Sequence, residues 1–273
     1  MQYEFKRFGE GADVLSPSIQ LILNGENLNE RFTSSDFSFK VLSVSGRGRI
    51  NHNINSVKVS GRNGLVVKGR TLDPRDIVVT AVIRASSNET YRENVSDLLY
   101  YLHKETINTL KFTDEMDFTY YATFDSLEDE DELKNRQEIR LNFTCHDPFK
   151  YGNHTVSNDM DLSSVTVDTQ FPIIPEEIKI TFSSPADAKD FTIENVTTGD
   201  TIQFSSREGS STSEVSIRIP DREVRYLPNG LNAIRGVNIR NSNFHSFTVN
   251  NNDEIHITPA PSNVSMSYKG VYL

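Results

Sequence analysis

The run Asp76-Ile77-Val78-Val79-Thr80-Ala81-Val82-Ile83-Arg84 decides the fold. Ile77, Val79, Ala81 and Ile83 fall on one face of a strand and Val78, Thr80 and Val82 on the other, so both faces require cover and the strand belongs in the middle of a sheet. It sits inside a longer stretch, Gly61 to Phe143, that reads as one structural unit. Downstream the period changes. Tyr91, Val95, Leu98, Leu99 and Leu102 stand at i, i+4, i+7, i+8 and i+11, a single helical stripe of the kind that lies on a sheet. Ser87 or Asn88 is the expected cap, Glu89 lies near the positive end of the dipole, and the pair Tyr100-Tyr101 flanks the stripe.

Leu110 and Phe112 then open a strand, Asp114 to Asp117 turn it, and Phe118, Tyr120, Ala122 and Phe124 form its return. The acidic run Glu128-Asp129-Glu130-Asp131-Glu132 lacks the alternating ligands, the bend glycine and the distal Glu of a calcium loop, and reads as a solvated loop tip. Ile139, Leu141, Phe143 and Cys145 alternate with polar residues, which turns Cys145 into the core as an inert thiol.

Upstream, residues 1–17 are weakly patterned and read as an arm or a short strand. Ile19, Leu21 and Leu23 alternate into Asn24-Gly25, a two-residue hairpin turn, and Phe37 to Val44 form the next strand. The segment Ser45 to Asn55, with Gly46, Arg47, Gly48, Arg49 and Asn51, has no regular apolar period. Its Gly-x-Gly precedes no helix and lacks the Lys-Ser/Thr that touches phosphate and metal, so it reads as a long interaction loop. Gly61-Arg62-Asn63-Gly64 is a tight turn or bulge pair that redirects the chain.

From about Lys150 to Phe171 the composition shifts to Asn, Ser, Thr, Asp and Gly. This places a first domain at 1–150, a linker at 151–171 and a second domain at 172–273, entered through Pro172 and Pro175. The second domain alternates in short strands: Ile178 to Phe182, Phe191 and Ile193, Ile202 and Phe204, Val215 to Ile219, Val224 and Tyr226, Phe247 and Val249, Ile255 and Ile257, Val264 to Tyr268. No helical stripe interrupts them, the signature of a β-sandwich. The chain as a whole is therefore mainly β.

The 273 residues suit two medium domains, and 16 Phe with 10 Tyr are too much apolar surface for a disordered chain. The net charge of −10 is spread over both halves and opposes general attraction to phosphate backbones. A lone cysteine forbids an internal disulfide and every multi-cysteine metal motif. No signal-peptide pattern or membrane-length apolar run is present, so neither ordinary secretion nor membrane insertion is expected. The six histidines form no i, i+4 pair, no Gly-x-Ser-x-Gly elbow occurs, and no cofactor or metal is expected. Paired carboxylates for glycoside hydrolysis leave no local spacing, so nothing positive points to an enzyme.

At its centre the sequence resembles the distal tail proteins of long, non-contractile-tailed bacteriophages. The resemblance is carried by Gly61-Arg62-Asn63-Gly64-Leu65-Val66-Val67-Lys68, the strand Arg75 to Arg84, Leu98-Leu99-Tyr100-Tyr101-Leu102, Leu110-Lys111-Phe112, Tyr120-Tyr121-Ala122 and Cys145-His146-Asp147-Pro148-Phe149. The second domain joins it more loosely, through Pro172, Ile193-Glu194-Asn195-Val196-Thr197-Thr198-Gly199 and the last strands. It implies a tail-tube-like β-sandwich with one flanking helix that closes into a homohexameric ring, and a galectin-like or carbohydrate-module-like sandwich outside it. The implied place is the virion tail tip, with the tail-tube protein, a tail-tip or tail-associated protein and a receptor-binding protein as partners, and with passage of the genome through the ring.

A ring through which DNA slides calls for a lining that does not hold phosphate. Closure is expected through the loop Gly46, Arg47, Gly48, Arg49 and Asn51 and through the turn Gly61, Arg62, Asn63 and Gly64, hiding strand edges against the neighbour. The alternative is a glycan- or receptor-recognition module in the second domain. Since Trp is absent, Tyr226 and Tyr268 would have to supply its stacking platform.

Overall fold

The computed structural model describes residues 19–129, 135–157, 161–206 and 211–273. The expected N-terminal arm at 1–17 and Glu130, Asp131 and Glu132 of the acidic run lie outside the described residues. The chain separates into two compact units, residues 1–116 with 120–148, and residues 117–119 with 149–273.

The first unit contains β1 (Leu21–Leu23), β2 (Glu26–Asn27), helix α1 (Leu28–Arg31), β3 (Phe37–Ser45), β4 (His52–Val57), β5 (Val66–Leu72), β6 (Arg75–Ala85), helix α2 (Asn88–His103), β7 (Asn108–Phe112), β8 (Phe118–Asp129) and β9 (Arg136–Cys145). Asn24 and Gly25, both at positive φ, make the turn between β1 and β2 that the Asn-Gly pair dictates. The ladder runs β2-β1-β7-β8-β9-β6-β3, antiparallel throughout. Strand β8 turns it: residues 120–122 pair with β7, and from Thr123 onward, across a bulge between Phe124 and Ser126, it pairs with β9.

Strand β6 is central, held between β3 and β9, and its ladder with β9 runs unbroken from Arg75 opposite Cys145 to Arg84 opposite Arg136. Ile77, Val79, Ala81 and Ile83 face a core shared with Phe39, Val41, Leu110, Phe112, Ile139, Leu141 and Phe143. Each of these side chains larger than Ala81, fully buried, contributes about 2 kcal/mol of apolar transfer. Helix α2 covers this core. The Ser87 hydroxyl accepts from the Thr90 amide at 3.1 Å, and Tyr91, Leu98 and Leu102 are buried. Tyr101 is buried with them, not flanking the stripe, because its hydroxyl donates to the Leu23 carbonyl at 3.0 Å; Tyr100 is exposed.

The second unit contains β10 (Lys150–Ser157), β11 (Glu177–Thr181), β12 (Asp190–Asn195), β13 (Asp200–Ser205), β14 (Glu214–Arg218), β15 (Glu223–Leu227), β16 (Leu231–Asn232), β17 (Ile255–Thr258) and β18 (Asn263–Tyr272). One sheet is ordered β10-β18-β11-β14-β15-β16 and the other β13-β12-β17. Ile178, Ile180, Val215 and Ile217 from the first meet Phe191, Ile193, Ile202 and Phe204 from the second in one core, a β-sandwich. The stretch 151–171, expected as a linker, is built into this unit. Its first residues are strand β10 paired with β18, and Val165 and Val167 are buried in the sandwich core. Polar composition misled here because β10 alternates weakly and has no buried residue. Phe247 and Val249 are buried but belong to no strand beyond a single bridge to Ile173.

Candidate functional site

Strands β4 and β5 form a sheet of their own, antiparallel, with a bulge between Asn55 and Ser56. The interaction loop expected over Ser45 to Asn55 is thus only half a loop, since it becomes strand at His52. None of the residues in this hairpin arm is buried, and Ile54, Val57, Val59, Leu65 and Val67 are exposed aliphatics. An isolated two-stranded ribbon is marginal in water. The arm is therefore shaped by its root and by whatever it meets.

The root is firmly built. Gly46 has φ +92°, and a Cβ there would land on the Asp76 carbonyl oxygen, so only glycine lets the chain cross β6 at this point. The next residue, Arg47, forks onto Asp114, with Nη1 and Nη2 at 2.9 and 2.7 Å from its two oxygens, and lies over the Phe112 ring. The hydrogen bond from Arg47 holds the Asp114 carboxyl below the usual carboxylate range. A depressed carboxyl stabilises above its unfolded pKa, and that contribution is lost as pH falls through the lowered value. Buried Arg75 donates from Nη1 to the Arg47 carbonyl at 2.5 Å and lies over the Tyr120 ring. The Tyr120 hydroxyl donates to Glu115, and burial first, then that carboxylate, pushes its pKa up. Across the root, the Asp73 amide donates to the Asn51 carbonyl at 3.0 Å, closing the two ends of the arm on each other.

The sequence-derived interface residues separate into two groups. Gly46, Arg47 and Asn51 belong to the root, and Arg47 is spent inside the chain rather than offered to a neighbour. Gly48 and Arg49 lie in the root loop, and Gly61, Arg62, Asn63 and Gly64 form the exposed tip. Missed from sequence were the exposed aliphatics Ile54, Leu65 and Val67, whose signal was apolar residues in a stretch otherwise rich in Asn and Gly. Tyr226 and Tyr268 are corrected: they are 1% and 3% exposed, packed in the sandwich core, and cannot stack on a sugar. The Tyr268 hydroxyl accepts from the Asp168 amide at 3.1 Å.

Elsewhere the chemistry is closed. The Cys145 thiol is buried, and desolvation pushes its pKa up to about 12, the opposite of a nucleophile. Among the described residues no three of His, Cys, Asp and Glu gather as a metal site, and no helix is long and apolar enough to cross a membrane. A shallow cleft of the second unit holds His154, Glu176, Glu177, Arg218 and Asp221, whose polar groups already meet partners: His154 with Glu176 at 3.3 Å, Arg218 with Asp221 at 2.9 Å.

Residues 31–145, which hold the β-ladder, its covering helix and the arm, match the family described as phage tail protein RIFT-related domain. The distal tail protein of Bacillus phage SPP1 is 26% identical over 175 residues, which span 64% of this chain and 66% of that protein. The crystal structure of the SPP1 distal tail protein superposes with a TM-score of 0.74 at 20% identity, over 93% of this chain and 99% of that one. A chain from the activated, calcium-bound baseplate of phage P2 aligns with a TM-score of 0.53 at 10% identity, over 92% and 98%. The chain is thus similar in sequence, over part of its length, to a phage distal tail protein, and shares the fold of one.

Proposed function

We propose that six copies of this chain close into a ring at the distal end of the tail, joining the tail tube to the tip or baseplate and leaving a passage for DNA. The role is structural, not enzymatic. The observation that carries it is the arm: a ribbon with exposed aliphatics on both strands, held by a root in which Gly46, Arg47 and Arg75 allow little play. A ribbon with two free edges and no core of its own is completed by another chain, and closure around an axis hides every edge at once. The first unit makes the ring. The second is a sandwich of the galectin-like or carbohydrate-module kind. The tail-tube protein, a tail-tip protein and a receptor-binding protein are the partners such a ring would join. Glycan recognition by the second unit is disfavoured by the burial of Tyr226 and Tyr268.

Solution mass by light scattering across a concentration series tests the ring. A species near six times the 30.9 kDa chain mass, with a central hole in electron micrographs, is the expected result. A monomer at all concentrations, which fails to assemble when the tail-tube protein is added, would sink it.

A further inference from the structure

Residues 46–72 contain Arg47, Arg49, Lys58, Arg62, Lys68 and Arg70 and not one Asp or Glu. Six cations without an anion, in a chain of net charge −10, leave the remaining residues at −16. Arg47 is committed to Asp114 and Glu115. Among the described residues the side chains of the other five make no ion pair or hydrogen bond. They share the arm with exposed Ile54, Leu65 and Val67, so the surface that fits it is both apolar and anionic.

The body of the first unit carries such a surface. On the outward face of β6, β9 and β8, Asp76, Thr144 and Thr123 stand in register, with Asp125 at the neighbouring bulge. The Thr144 hydroxyl lies 3.1 Å from Asp76 Oδ1 and 2.5 Å from Asp125 Oδ2. It has one proton and serves one carboxylate at a time. Asp125 Oδ1 also accepts from the Thr123 hydroxyl at 3.4 Å, but among the described residues no Lys or Arg lies within ion-pair distance of either aspartate, so two like charges converge on one threonine with only hydroxyls to meet them. Val78, half-buried next along the same face of β6, supplies apolar ground beside them; farther along, Val82 is half-buried too, with Lys40 and Glu138 opposite it and Arg140 opposite Thr80.

We propose that the arm of one copy docks on this face of the next, its free cations meeting Asp76 and Asp125 and its aliphatics covering Val78 and Val82. This docking rests on the ring reading and supplies its partner surface. Nucleic acid would neutralise the same cations, yet it would leave the aliphatics in water. A conduit with exposed lysines and arginines would also grip the phosphates passing through it. Carboxylates of a second copy satisfy the cations and withhold them from the DNA.

The test is self-association of the 273-residue chain in rising salt, with circular dichroism confirming the fold of each variant. Screening contracts from about 10 Å at 0.1 M to about 3 Å at 1 M salt, so association is expected to weaken at least tenfold, roughly, over that range. Reversing the arm with R62E, K68E and R70E should weaken it by a similar factor at low salt, and adding D76K and D125K to that chain should restore it. Assembly by the arm-reversed chain equal to the unmodified one, at every salt, would overturn the docking and leave the ring standing. No assembly by the unmodified chain, alone or with the tail-tube protein, would remove the ring and the docking together. Retention of duplex DNA by the arm, lost on reversal while assembly is unchanged, would make nucleic acid the occupant and overturn the proposal.

Discussion

Two ribbons of this chain are built alike and used in opposite ways. The β6–β9 ladder and the β4–β5 arm are both antiparallel pairs. In the first, every second residue of β6 from Ile77 to Ile83 is buried; in the second, nothing is. The register of the body ladder is unbroken, whereas the arm slips at Asn55. A one-sided core penalises any slip, because a shift of one residue would turn all its apolar side chains to water. The arm has no such penalty within the chain. It is specified at its root and left open along its length, and open strand edges are what assembly consumes.

The largest effect in breaking this contrast belongs to the body. Phe143→Ala removes a ring on β9, opposite Ile77 of β6, that is 1% exposed, and is expected to cost the first unit about 3–5 kcal/mol in a denaturant melt. Gly46→Ala comes next. It forces a side chain into positive φ against the Asp76 carbonyl, and a loss of roughly 2 kcal/mol is expected, with hydrogen exchange quickening at the Asp73 amide that closes the root. The smallest effect is at the arm itself. Leu65→Ser with Val67→Ser should leave the unfolding midpoint unchanged to within about 0.5 kcal/mol while impairing assembly. A large stability loss from that pair would show that the arm packs on its own body, and the contrast would collapse.

How much of this was legible in sequence follows the same division. Ile77 to Ile83, the α2 stripe and the Asn24-Gly25 turn were readable because each writes a local period or a backbone requirement into adjacent residues. Tyr101 was misplaced because its burial depends on a carbonyl far away in sequence, on Leu23. Strand β4 was hidden because His52 to Val57 face solvent on both sides and so carry no periodicity. For the same reason β10 passed for linker. Tyr226 and Tyr268 looked available only because a sandwich strand does not announce, in one sequence, which of its faces meets the opposing sheet; both point inward. At the candidate site the tip Gly61 to Gly64 was legible from turn chemistry. The fate of Arg47 was not, since its partners Asp114 and Glu115 come from a distant turn.

The hydrogen bond from Asp73 to Asn51 has one more consequence. Because it fastens the two ends of the arm side by side, residues 52–72 enter and leave the body at nearly the same place. Residue pairs can then be added to or removed from the ribbon without shifting β3 or β6, and the tip can accept a foreign sequence at little cost to folding. The arm is in effect an interchangeable peg on a fixed socket, where divergence in length and charge can change which copies fit together while the rest of the domain is left as it was.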